Sequence, residues 1–335
     1  MARRKRWPLA ARTTASLMAL AVVIVVFAFT THGQLLATDN VISILDGAAQ
    51  LGIVTVGVTL LMIGGEFDLS VGETFVLSGA VMGILMPQIG IIPALIVALL
   101  AAAMVGVFNA VATVVLGLPS FIATLGSFYA VSGIILILNG GEPVTPSGTP
   151  LVYNVLDANI GNQVKLEVLW WVGIALCVGF VLQRTRFGNR IFATGGDRRA
   201  ADRNGVRTPR VRITLFILCA VLAGFAGIIQ LADIGTIAAD AGDGLQLEAI
   251  AAAVIGGASL FGGIGGIADG VIGSIFLTLV STALILSGAS PSYYELFVGL
   301  VLVGTVWMHL RASGSWAKVA GRLTLRRSTG GGGRH

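Results

Sequence analysis

Ten apolar runs alternate with polar or glycine-rich punctuation along the chain, near residues 15–31, 48–64, 71–87, 91–116, 120–138, 167–183, 213–232, 245–261, 266–288 and 293–310. Each approaches the roughly 17 to 25 apolar residues that carry a helix through the hydrocarbon core of a bilayer. The pattern predicts an all-α polytopic integral membrane protein with about ten transmembrane helices. The boundaries are least distinct between 245 and 288, where glycine is dense.

Composition removes the soluble alternative. Hydrophobic residues make up 56% of the 335, glycine adds 46 more, and only 11% are charged, too few to coat water-soluble domains of this length. Cys177 and Cys219 lie inside apolar runs and read as packing residues, not as a disulfide or zinc framework. The net charge of +5 would suggest nucleic acid in a soluble protein. No aromatic residues interleave with the bases to form a stacking surface, so no nucleic-acid partner is expected.

The placement of charge gives a topology. Five Lys and Arg lie in 3–12, nine in 184–212 and six in 311–334, with Lys165 alone elsewhere. Basic clusters beside spans stay cytoplasmic. Six spans separate the first cluster from the second and four separate the second from the third, both even numbers, so both termini are expected inside. Segments 32–47, 139–166 and 233–244 are then outside, with Asp39, Asp46, Glu142, Asp157, Asp233, Asp240 and Asp243. Residues 1–31 also fit a signal peptide, but no small-x-small cleavage site follows Phe29 and parity needs the segment as a span. The expected organisation is a basic cytoplasmic N-terminus (1–14), six spans (15–183), a cytoplasmic loop (184–212), four spans (213–310) and a basic flexible tail (311–335).

The loop 184–212 carries nine Arg against Asp197 and Asp202. Gly195 and Gly196 break it, Asp197 is a good N-cap, and Arg198, Arg199, Ala200, Ala201, Asp202 and Arg203 can make less than two turns of helix. Asn204 and Gly205 then supply a left-handed stop before Pro209. A solvated anchor near anionic headgroups needs the charge. It does not need a capped helix with stops on both sides, which suits a docking helix for a cytoplasmic partner.

Two glycine breaks interrupt the apolar runs. In the first, Gly64 and Gly65 precede Glu66, Phe67, Asp68, Leu69 and Ser70, and Ser70 with Glu73 fits a capping box that starts a new helix. Backbone freed by a break inside a membrane must be satisfied by protein or water. Glu66 and Asp68, two apart in an extended stretch, would point to one side and mark a polar pathway. The bland alternative is a cytoplasmic turn with its acids in water. The second break runs from Gly256 and Gly257 through Gly262 and Gly263, and begins with the same Ile-Gly-Gly as the first. Paired interruptions hint at the repeats of transporters, while close helix packing explains many of the glycines equally well. Asn109 and Gln230 are lone amides in apolar runs, able to bind a sugar hydroxyl or to bridge neighbouring helices. No His, Cys, Asp and Glu cluster has metal-ligand spacing, so no metal is expected. No phosphate-binding G-x-x-x-x-G-K-[ST] loop is present either. The chain therefore performs no ATP hydrolysis of its own; ATP and Mg²⁺ would belong to a partner.

Four ordered motifs carry a resemblance: GGEFDLSVG at 64–72, PSFIATLGSFYAVSGI from Pro119, FGNRIFATGGDRRAADRNGV from Phe187 and LEAIAAAVIGGASLFGG from Leu247. Together, from about residue 40 to 310, they resemble permease subunits of bacterial ABC importers for monosaccharides, the ribose, xylose and galactose group. The resemblance implies an inner-membrane subunit that pairs with a second permease copy, its own or a sister. It implies in addition a pair of ABC ATPase subunits below and an extracytoplasmic sugar-binding protein above. The family's coupling helix would fall on Asp197 to Asn204, next to Gly205. Candidate pathway residues are Glu66, Asp68, Ser70, Asn109 and Gln230. The chain departs from the family by Glu66-Phe67 before Asp68, one residue more than is usual, and by Ile264 where a basic residue is common. Related branched-chain amino acid permeases tend to replace D-L-S-V-G, so Asp68-Leu69-Ser70 favours sugar; an amino-acid or nucleoside permease is the alternative within the family. A stand-alone ion-coupled transporter or channel, using Glu66, Asp68 or Asp269, is the competing class.

Overall fold

The computed structural model describes residues 9–146, 158–160 and 164–312. The basic residues at 3–6, the tail beyond 312 and part of the outer segment 139–166 lie outside the described residues. Among the described residues twelve α-helices follow in order: α1 (Leu9–Thr30), α2 (Thr38–Ile63), α3 (Val71–Ile89), α4 (Ile91–Ala110, continued by one π turn, Val111–Val115), α5 (Ser120–Asn139), α6 (Leu166–Arg184), α7 (Arg186–Gly196), α8 (Arg198–Arg203), α9 (Thr208–Ile234), α10 (Leu245–Gly256), α11 (Ile267–Leu286) and α12 (Ser292–Ala312). Two strands of two residues, Asn159–Ile160 and Val164–Lys165, pair antiparallel in the outer segment.

Every apolar run contains a helix, and seven of the helices (α2 to α6, α9 and α11, with α4 taken through its π turn) are long and apolar enough to cross a membrane. The other three runs give shorter apolar stretches, Thr14–Thr30, Leu245–Gly256 and Ser292–Thr305. Reading 245–261 as a span was too long. α10 stops at Gly256, and twelve residues make a rod of about 18 Å, well short of a hydrocarbon core of about 30 Å.

The centre of the bundle is α9, which packs on α2, α3 and α4, while α11 packs on α2 and α10, and α6 on α2. Glycines bring these helices together. A Cβ placed on Gly227 of α9 would lie 1.9 Å from the Phe75 carbonyl oxygen, and one on Gly224 would lie 2.4 Å from Ser78 Oγ. Leu231 meets Gly83 further out, so α3 and α9 run side by side in the same direction. On this register α3 begins about a dozen residues, roughly 18 Å, along from the start of α9. The first glycine break is therefore deep in the bundle.

The segment 233–244, expected outside, turns back into the protein after α9. Ile237 exchanges backbone hydrogen bonds with Val144 (2.9 and 3.0 Å) and reaches the surface of Gly79. Further along, Gly242 packs on the backbone of Gly72, in the first turn of α3. α10 thus starts at mid-depth. Midway along α2, Gln50 donates to Glu167 at the start of α6 (3.0 Å) and to Asp233 at the end of α9 (2.9 Å), and Lys165 pairs with Asp233. Lys165 thereby helps to close a seam between these helices.

Candidate functional site

The two glycine breaks meet. Gly263 donates its N–H to the Ile63 carbonyl (2.8 Å). Ideal Cβ atoms on Gly195 and Gly262 would lie 1.9 Å from Ile63 O and 2.7 Å from Gly195 O, so no side chain fits at either position. The ends of α2 and α7 and the turn between α10 and α11 form one backbone-to-backbone knot. Gly64, Gly65, Gly256, Gly257, Gly262 and Gly263 all belong to it or flank it.

The loop 184–212 holds more helix than its sequence suggested. α7 runs up to and includes Gly195 and Gly196, with Gly195 packed in the knot and open space beside Gly196 where a side chain would begin. α8 follows as the spacing predicts. Asp197 Oδ1 accepts from the Ala200 N–H at 3.0 Å, and the chain leaves through Asn204 and Gly205, the latter at φ +80°. Arg199 and Arg203 are exposed, whereas Ala201 is buried against the bundle.

Glu66 is the hinge between this loop and the first break. It is only 4% exposed, and its Oε1 accepts from Arg198 at 2.5 Å and from Arg212 Nε at 2.6 Å. Arg212, on α9, also reaches the Thr113 carbonyl at the π turn (3.5 Å). A carboxylate removed from water is tolerable here because two guanidinium groups replace its hydration. The water-exposed turn considered from sequence is thereby excluded for these acids. The sequence does not single out Arg212 as the partner of Glu66, although it is the last base before the apolar stretch of α9.

Asp68, Ser70 and Asn109 form a second, separate cluster, at 1%, 0% and 0% exposure. Asp68 Oδ1 accepts from the Ser70 N–H (2.8 Å) and hydroxyl (2.6 Å), and Oδ2 accepts from Asn109 Nδ2 (3.0 Å). Asn109 also donates to Ser70 Oγ (2.8 Å). The capping box expected from Ser70 and Glu73 does not form, because the Ser70 side chain caps nothing at the start of α3 and its amide is held by Asp68. The other freed amides, Phe67 and Leu69, donate to Ser120 Oγ (3.3 Å) and Thr124 Oγ1 (3.1 Å) in the first turns of α5. Gln230 is half-buried on α9, well outward of both clusters.

This architecture, a central broken helix pair tied to a capped loop helix, is accompanied by sequence similarity. Residues 40–306 match the family described as branched-chain amino acid transport system, permease component. The chain belongs to this family. The permease is 33% identical to the ribose import permease protein of Escherichia coli K12 over 291 residues, 86% of this chain and 90% of the relative. It is 31% identical to the autoinducer 2 import system permease protein of Salmonella typhimurium over 296 residues, 88% and 84% of the two chains. No solved structure matches the permease. The groups just described are hydrogen-bonding and ion-pairing side chains in and beside helix breaks.

Proposed function

We propose that this chain is the membrane-spanning subunit of an ATP-driven importer, passing a monosaccharide or related polyol delivered by an extracytoplasmic binding protein. In this reading two permease copies, identical or sister, stand on two ATPase subunits in the bacterial inner membrane. Ten segments cross or enter the bilayer and both termini are cytoplasmic. The relatives that import ribose and autoinducer 2 support the substrate class, as does Asp68-Leu69-Ser70.

The observation that carries the reading is the link from α8 to Glu66. Arg198 opens a helix that is capped at one end and stopped at the other, and its guanidinium reaches a buried carboxylate in the break between α2 and α3. A push on α8 by a nucleotide-binding partner would pass through Arg198 to Glu66, and through Arg212 to α9. The two helices that frame the centre would then move together, as alternating access requires. ATP and Mg²⁺ stay on the partner.

The test is uptake of radiolabelled ribose, xylose and galactose into vesicles carrying this chain, its ATPase and its binding protein. Uptake should require both internal ATP and the binding protein. R198E/R199E should insert normally and lose most of the coupled ATPase. Uptake that ignores ATP and follows an imposed ion gradient would replace the importer with a secondary transporter.

A further inference from the structure

Two helix starts meet at mid-depth. α3 begins at Val71 and α10 at Leu245, and their first turns touch: a Cβ on Gly72 would lie 2.3 Å from Gly242 O and 2.7 Å from Gln246 Oε1. Glu73, in this first turn of α3, is 3% exposed, and its Oε2 has no hydrogen-bond partner. Gln246 Oε1 is buried and unpartnered as well. Asp243, exposed on the turning segment, directly follows Gly242, whose carbonyl oxygen lies against the first turn of α3. None of these three belongs to an ion pair with Lys or Arg among the described residues.

A buried carboxylate oxygen without a donor costs free energy that a structural role would have to offset. Glu73 performs no such role: the capping box is absent, and the Ser70 amide that would have received it is taken by Asp68. The seam offers acceptors in excess. Two carboxylates and an amide oxygen gather at this seam, while the donors at hand are the Gln246 side-chain NH2 and the helix-start N–H groups not already bonded, those of Leu245 and Leu247 being held by the Gly242 and Gly244 carbonyls. Anions are repelled by the pair of acids. A neutral molecule rich in hydroxyl groups fits both halves, since each O–H can donate to a carboxylate and each hydroxyl oxygen can accept from a helix-start amide.

We propose that the seam between the first turn of α3 and the re-entrant segment is a substrate-contact site, where Glu73, Asp243 and Gln246 accept hydrogen bonds from the hydroxyl groups of a polyol in transit. This rests on the polyol-permease reading and assigns it a place at mid-depth, apart from the Asp68 cluster. It also explains why the segment descends to Gly72: it brings Asp243 and Gln246 to Glu73.

The test uses the complete transporter in proteoliposomes, with whichever of ribose, xylose or galactose the wild type carries, and the monodeoxy analogues of that sugar. E73Q, D243N and Q246L are compared with I137A, which alters an exposed side chain on α5. Because every variant works with the same binding protein, its own selectivity cancels in the ratio of sugar to deoxy analogue. E73Q and Q246L should slow transport about tenfold, the loss of one charge-assisted or buried hydrogen bond. For one deoxy position they should also flatten the preference for the parent sugar. D243N lies on an exposed turn, so its effect cannot be attributed to failed folding, and unchanged thermal midpoints check the other two. Equal rates and unchanged sugar to deoxy ratios in all three variants would overturn the site while leaving the importer standing. Sodium-dependent uptake that E73Q abolishes would overturn the polyol assignment in favour of a cation. A wild type that moves none of the sugars with ATP would sink the function beneath it.

Discussion

Glu66 has two guanidinium groups and almost no water around it, so the consequence of removing its charge is large and asymmetric. E66A should leave Arg212 buried without a counter-charge and cost about 3 to 5 kcal/mol, read as a lower thermal midpoint in detergent and poor membrane yield. Replacing the buried pair together, as E66L/R212M, should recover much of that stability without recovering coupled ATPase. At the neighbouring N-cap, D197A removes the one side-chain bond at the start of α8 and should cost about 1 kcal/mol of local helix stability. A helix of six residues has little else to hold it. The expected readout is weaker stimulation of the ATPase with normal insertion.

The glycine contacts decide at the scale of elements which substitutions the bundle accepts. G227A would drive a methyl group into the Phe75 carbonyl, and G256A would place one 1.7 Å from Asp269 O. Both force helices apart, and overpacking of this kind costs about 1 to 3 kcal/mol or more. G126A and G133A on α5 have open space around them and should behave as wild type. Size-exclusion profiles of the four variants check the contrast. The elements themselves were mostly legible in the sequence, because a run of apolar residues long enough to cross a bilayer has no other stable conformation there. The half-helix α10 and the descent of 235–244 were not. Their hydropathy resembles that of a span followed by a loop, and only the pairing of Ile237 with Val144 and of Gly242 with Gly72 distinguishes them. The capping box failed for a related reason: Ser70 had two competing partners, and Asp68 was the nearer. For the candidate site, Glu66 and Arg198 were each visible as unusual residues, but their contact spans 132 positions and has no local signature.

At the scale of the whole molecule, three regions hold the bundle in register: the polar seam of Gln50, Glu167, Asp233 and Lys165, the meeting of the α3 and α10 starts, and the glycine knot beside α8. On the proposed topology, with both termini cytoplasmic, a cysteine placed at Ala200 should react with an impermeant maleimide only after the cytoplasmic face is opened. One at Ser290, between α11 and α12, should react from outside. Labelling of both from the same side would contradict a ten-segment crossing. The proposed orientation rests on the basic residues of 184–212 and the acids of 32–47, 139–166 and 233–244.

The sequence also supplies its own reporter. Cys177 is exposed on α6, whereas Cys219 is buried on α9 with its backbone 3.1 Å from where a side chain on Gly57 would begin. Thiol chemistry at Cys219 therefore needs α2 and α9 to part. In a C177A background, the rate at which a small alkylating reagent consumes the remaining thiol would clock that separation directly, with no engineered label in the core.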